Sequence, residues 1–422
     1  MTTPLFQEEV RWSSLPKVMK EDGCTMEHIN EFRINKFRGL RDLKIEGLGQ
    51  INLFVGSNNS GKTSVLEALS LFCDPLNSRK WSDVGSQREA SGLRSSVLDR
   101  ITWLFAQGVD PKEKSSLSLS ASGNTLIKEV SAIYEKFNEI VNIPQPTRTS
   151  AGFDLVKSSE LKNALRVVVK LLEDLEVKNE FANQENEREI EGVRVITTVS
   201  GEYARPTLFE NRFVVNETLT FTDRSPLQRP KHEEIPTIPV IMVNPFTHRT
   251  SNLTSSLWSE IVEADLKDET IQLLQHFDPA ILDVDFIAPT EHRQLISVKH
   301  ANLGRVPLHT FGDGLRRVFT LATAIPRVRN GFLLIDELET SIHAKALERT
   351  FEWLVKACID NNVQLLATTH SLEALDVIAE VSLDIEDFVV YRLQQEKEQT
   401  IAKRFDKAMV LQLREELGLD LR

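Results

Sequence analysis

"VGSNNSGKTSVLEAL", residues 55–69, fits the pattern GxxxxGK followed by Ser or Thr, and its neighbours decide how it is read. Before it, "INLFV" (51–55) is a short apolar run that reads as a buried strand. After it, "GKTSVLEALSLF" (61–72) places Val65, Leu66, Leu69 and Phe72 at helical spacing. The loop between strand and helix is Gly56, Ser57, Asn58, Asn59, Ser60, Gly61, Lys62 and Thr63. Glycines let backbone N–H groups curl around phosphate oxygens, and the start of the helix adds a favourable dipole. Lys62 is placed to reach the β and γ oxygens of a nucleotide, and Thr63 to offer a hydroxyl to Mg²⁺. ATP with Mg²⁺ is the expected ligand pair.

Three downstream stretches complete a site. "GFLLIDELETSIH" (331–343) is an apolar strand ending in Asp336 and Glu337. Asp336 is expected to orient Mg²⁺, and Glu337 to polarise an attacking water as general base. "VQLLATTHS" (363–371) is a second buried strand, delivering His370 beside Thr368 and Thr369. On a neighbouring parallel strand, His370 would reach the γ-phosphate or the water. "HTFGDGLRRVFTLATAIP" (309–326) opens a helix at Gly312, Asp313 and Gly314. Its apolar face is Leu315, Val318, Phe319, Ala322 and Ile325, and Pro326 stops it. Taken alone, that glycine-rich start would equally suit a packing helix.

In this order the motifs, with "FRINKFRGLRDLKIEGLGQ" ahead of the loop, resemble the ABC-like ATPases of the SMC, RecF and OLD kind, and among these the OLD-like, AAA-labelled ATPases of anti-phage systems. The resemblance covers residues 27–71 and 307–375 and the closing "LREELGLDLR". It implies an α/β P-loop NTPase of ABC/SMC-head type, with a mixed central sheet, an outer antiparallel β lobe and a helical insertion. It also implies two heads enclosing two ATP molecules. Lys62, Thr63, Asp336, Glu337 and the switch residue His370 come from one head, and Gly312, Asp313 and Gly314 from the other. Arg38 in "NKFRGL" is implied as a phosphate contact, although a surface turn accounts for it equally well, and His343 as part of the head-to-head contact. Two positions depart from the ABC pattern: Gly312 replaces a serine, and Leu338 a proline after the catalytic acid. No Q-loop glutamine can be assigned.

The rest of the composition is that of a soluble chain. Its 422 residues exceed one simple core, and no apolar run is long enough to span a bilayer. Three scattered cysteines, Cys24, Cys73 and Cys358, form no CxxC pair, which fits a reducing cytoplasm. A net charge of −12 argues against a coat of positive potential for nucleic acid. Arg249, His292, Arg293, Lys299 and His300 suit either a local DNA groove or a solvated face.

The expected organisation is a flexible leader (1–25), an N-terminal half of the head (26–80), an inserted β lobe (81–240) and a C-terminal half (241–422). Within the insertion, residues 115–122, 192–200 and 211–223 alternate like half-exposed strands. Residues 125–141 and 158–180 read as two helices, a hairpin that either projects from the head or packs on its own sheet. Residues 142–152 read as a loop and 182–192 as an exposed turn. Residues 255–288 read as two helices and a strand. No acidic metal cluster follows His370, so no nuclease is expected in the same chain, nor any membrane partner helix. The expected role is that of a regulatory ATPase, a homodimer or higher assembly controlling a separate effector, a nuclease encoded nearby, in anti-phage defence. The alternative is a RecF- or SMC-like head that clamps DNA.

Overall fold

The computed structural model describes residues 28–88, 95–105, 115–142, 187–203, 212–223, 237–250, 255–290, 293–382, 385, 387–396, 399–406 and 408–410. An antiparallel pair, β1 (His28–Phe37) and β2 (Leu40–Glu46), precedes β3 (Ile51–Val55) and α1 (Lys62–Cys73). Short helices α2 (Ser78–Ser86) and α3 (Val97–Thr102) lead to β4 (Ser116–Asn124), β5 (Ile127–Asn142), β6 (Glu187–Glu202) and β7 (Arg212–Thr222). Next come β8 (Val240–Val243), α4 (Thr247–Thr250), α5 (Ser255–Glu263), α6 (Lys267–Phe277), β9 (Ile281–Thr290), β10 (Arg293–His300) and β11 (Gly304–Pro307). The remainder alternates: α7 (Asp313–Ala324), β12 (Phe332–Ile335), α8 (Ala344–Asp360), β13 (Gln364–Thr368), α9 (Leu372–Val381), β14 (Phe388–Glu396) and β15 (Gln399–Asp406).

The central sheet runs β15-β14-β3-β13-β12-β8, parallel from β14 to β8 with β15 antiparallel at its edge. β3, β12 and β13 are buried at every position, because a parallel sheet covered on both faces needs apolar runs rather than alternation. Alternate residues serve opposite cores. Leu53, Val55, Leu333, Ile335, Leu365 and Ala367 pack with Phe351 of α8 and Ile378 of α9. Phe54, Phe332, Leu334 and Leu366 pack with α1 and the outer sheet. Each Val, Leu, Ile or Phe side chain so buried contributes roughly 1.5–3 kcal/mol.

The outer sheet is antiparallel, in the order β2-β1-β4-β5-β6-β7. β1 and β2 share it with β4 to β7, so strands from the expected N-terminal half and the expected insertion are hydrogen-bonded neighbours. α1 lies between the two sheets, every residue buried except Thr63. Gln364, fully buried, ties the layers together: its side chain accepts from the Ile29 N–H and donates to the Ile29 and Gly49 carbonyls, at 2.7–3.0 Å. A third, smaller sheet, β11-β10-β9, packs against α5, α6 and α7.

The three expected strands of the insertion are β4, β6 and β7, and residues 255–288 form α5, α6 and most of β9. The helix expected over 125–141 is instead strand β5, and this is a correction. Ile127, Val130, Tyr134, Phe137 and Val141 fit a helical stripe, but they are also β-branched or aromatic. Tertiary pairing decides between the two: β5 matches β6 from Ile127↔Gly201 to Asn142↔Glu187. Residues 187–192, expected in an exposed turn, belong to β6. The leader, the second expected helix at 158–180, the expected loop at 142–152 beyond Asn142, which ends β5, and the closing "LREELGLDLR" lie outside the described residues.

Candidate nucleotide site

The parallel register brings the chemistry-bearing residues to one edge. Val243, Ile335 and Ala367 are level across β8, β12 and β13, and Thr368 is level with Phe54 of β3. The phosphate loop, Asp336, Glu337 and His370 therefore all leave the carboxyl ends of neighbouring strands, where open α/β sheets bind ligands.

The loop depends on its glycines. Gly56 has φ +144°, and a Cβ there would lie 2.4 Å from the Leu393 carbonyl oxygen; at Gly61, with φ +93°, it would lie 2.7 Å from Leu40 Cδ2. Asn59 supplies a third left-handed residue, at φ +63°. Lys62 Nζ folds over the loop, donating to the carbonyls of Gly56 at 2.7 Å and Ser57 at 2.9 Å. Burial pulls its pKa down, opposed by the charges of Asp336, Glu337 and Glu339. Ser60 Oγ is buried without a partner, as expected of a group built to meet a ligand.

The Thr63 hydroxyl lies 3.1 Å from both carboxylate oxygens of Asp336, and the buried Thr368 hydroxyl donates to Asp336 Oδ1 at 2.7 Å. Hydroxyl and carboxylate oxygens are the donors Mg²⁺ prefers, so Thr63 and Asp336 fit that ion. Glu337 follows at φ +49°, an uncommon conformation for a residue with a side chain. Its N–H donates to Thr368 Oγ1 at 2.9 Å, and its Oε2 accepts from the Thr340 hydroxyl at 2.9 Å. His370 follows the end of β13. Its backbone N–H donates to Glu339 Oε1 at 3.0 Å, and the neighbouring Thr369 hydroxyl donates to Glu339 Oε2 at 2.8 Å.

The other expected residues make contacts of their own around this centre. Gly312 caps α7, and a Cβ on Gly314 would lie 2.8 Å from the Ser341 carbonyl oxygen, so the glycines allow close contact with the turn after Glu337. Asp313 pairs with Arg249 and Arg316. Arg38, at φ +49°, points to Glu67 one turn along α1 from Thr63: its Nε is 2.8 Å from Glu67 Oε2, and Arg88 joins the same carboxylate at 2.6 Å. Burial raises the Glu67 pKa, and the two arginines oppose that shift. His343 is exposed and caps α8, its Nδ1 accepting from the Lys345 N–H at 3.2 Å.

Of the residues that suited either a DNA groove or a solvated face, three are described with their side chains. Arg249 is paired with Asp313, and buried His300 with Asp278 at 3.2 Å, while the adjacent Lys299 is exposed. His292 and the Arg293 side chain lie outside the described residues. Among the described residues no group of three or more His, Cys, Asp or Glu is arranged to hold a metal, and no helix is long and apolar enough to cross a membrane.

Sequence reasoning missed Thr368, which joins Asp336 to Glu337, and Arg317, which is fully buried on α7. The paired arginines of "LRRVF" carried no local sign of which one turns inward.

Comparison with known proteins accounts for both halves. Residues 27–212 match the family described as "AAA ATPase domain", and residues 259–376 the one described as "AAA domain, putative AbiEii toxin, Type IV TA system". An ATP/GTP phosphatase of Helicobacter pylori is 24% identical over 374 residues, covering 84% of this chain and 88% of that one. The DNA replication and repair protein RecF of Acinetobacter baumannii is 43% identical over 101 residues, about a quarter of each chain (24% and 25%). An SMC head bound to the C-terminal winged-helix domain of ScpA aligns with 90% of this chain and all of that one, at 11% identity and a TM-score of 0.45. The first AAA-family match takes in the phosphate loop and most of the outer sheet, the second takes in Asp336, Glu337 and His370, and these residues meet at one edge of the central sheet: the chain is similar to AAA-family P-loop ATPases.

Proposed function

We propose that this ATPase is a nucleotide-controlled switch: two heads close on ATP and Mg²⁺, and hydrolysis reopens them, so that the assembly controls a separate effector protein in anti-phage defence. The observation that carries this reading is the convergence of Lys62, Thr63, Asp336 and Glu337 at the carboxyl edge of the central sheet. Lys62 and the loop amides grip the phosphates, and Thr63 and Asp336 hold the ion. Glu337 accepts a proton from the attacking water, and His370 contacts the γ-phosphate side. Gly312, Asp313 and Gly314 meet the nucleotide of the opposite head. The ATP/GTP phosphatase relative supports nucleotide hydrolysis, and the toxin–antitoxin description of the C-terminal family supports an effector.

The test is the mass of Glu337→Gln by size exclusion with light scattering, in ATP with Mg²⁺ and in ADP. Doubling in ATP alone supports the switch; an unchanged monomer in both rejects it. The RecF similarity favours a second reading, in which the closed dimer clamps duplex DNA. That reading expects ATP-stimulated duplex binding that weakens steeply with salt.

A further inference from the structure

Arg317 is 0% exposed, and its guanidinium hydrogen-bonds to backbone carbonyls rather than to a carboxylate. A buried guanidinium carries a desolvation cost, and burial lowers its pKa to about 10 even beside Asp336, Glu337 and Glu339. Its neighbours Val318, Phe319 and Leu321 show that an apolar residue would suit this part of α7.

The placement of its bonds explains the cost. Nη2 donates to the carbonyl of Asp336 at 3.1 Å and to that of Glu337 at 3.3 Å, while Nη1 donates to the carbonyl of Asn244, just after β8. The first two carbonyls belong to the peptide planes on either side of the Glu337 Cα. Holding both planes fixes φ and ψ at that residue, in the left-handed region at φ +49°. For a residue with a side chain this conformation is strained and persists only where its surroundings impose it. Thr368 Oγ1 accepts the Glu337 N–H, and Thr340 donates to its carboxylate, so the orientation of the acid is set from several sides.

We infer that Arg317 is a positioning residue for hydrolysis: it clamps the backbone on both sides of Glu337 and ties the acid to α7, whose first turn carries Gly312, Asp313 and Gly314. The inference rests on Glu337 being the group that activates water. It makes α7 the lever through which contact at the glycine-rich turn alters the aim of Glu337.

The test uses the full chain with Arg317→Lys and Arg317→Met. Lysine keeps the charge but lacks the planar fork, and methionine removes both while relieving the burial cost. ATP affinity measured with a fluorescent ATP analogue should stay within about twofold of wild type in whichever variant folds. The kcat should fall about 100-fold, the scale expected when a catalytic group is misplaced by roughly 1 Å. Adding Arg317→Lys to Glu337→Gln should cause little further loss, because both act on one group. Turnover within threefold of wild type in a folded variant, or a full additional 100-fold loss in the double variant, overturns the inference. A wild-type chain that binds ATP without ever hydrolysing it removes the hydrolytic reading and this inference together; normal wild-type turnover with an unimpaired Arg317→Lys removes the inference alone.

Discussion

The central and outer sheets are built from similar apolar residues, yet they differ in what their strand ends present. In the parallel sheet, β3, β12 and β13 end together, so polar residues at and after their carboxyl ends converge: Thr63, Asp336 and Thr368 lie within one hydrogen-bonded group. In the antiparallel sheet, neighbouring strands run in opposite directions, and β4, β5 and β6 spend their buried residues on one side, with Leu119, Val130 and Val195 facing the core around α1. The difference separates two kinds of fragility. Substitutions at the central strand ends should remove chemistry from a folded protein; substitutions in the outer sheet should remove folded protein while leaving the chemistry of each surviving molecule intact.

The largest effect tests the first half of that contrast. Glu337→Gln should reduce ATP turnover by about 10²- to 10⁴-fold, the usual contribution of a general base, with the thermal midpoint near that of wild type. The side chain is partly exposed and its carboxylate accepts from Thr340, a bond that glutamine can also accept. Steady-state phosphate release and a thermal melt check the two parts. Normal turnover would dismiss Glu337 as the base.

The outer sheet should respond in the opposite way. Leu119→Ala deletes a fully buried side chain between Ile34 and Val130, and should cost about 2–5 kcal/mol of stability through lost burial and the cavity left behind. Denaturant unfolding measures the loss, and kcat per folded molecule should be unchanged. A large fall in kcat would instead show that the outer sheet is coupled to the site through α1.

The same contrast explains what the sequence made legible. The phosphate loop could be read because each of its residue types has a local task at fixed spacing, and the central strands because burial on both faces leaves unbroken apolar runs. β5 could not be read locally: its apolar residues suit a helix or a strand, and the choice is made by β6, about sixty residues away in the chain. Arg317 was hidden for a related reason, since "LRRVF" contains two arginines and only the carbonyls of residues 244, 336 and 337 show which one turns inward. Arg38 looked like either a surface turn or a phosphate contact; buried Glu67 is the partner that local sequence did not reveal.

Thr368→Val sharpens the contrast further, because it alters a central strand end without touching a charge. Thr368 is fully buried, and its hydroxyl serves two neighbours, donating to Asp336 Oδ1 and accepting from the Glu337 N–H. Valine fills nearly the same volume but leaves that N–H unpaired, at a cost of roughly 1–3 kcal/mol in a buried setting. It also frees Asp336 and Glu337 to move independently. The expected result is a roughly tenfold fall in kcat, about 1.4 kcal/mol in barrier, with a smaller loss of stability than Leu119→Ala. Thr368→Ser keeps the hydroxyl and should recover most of the turnover. If valine and serine behave alike, packing at this strand end matters and the shared hydroxyl does not, and the link between Asp336 and Glu337 must run through the backbone alone.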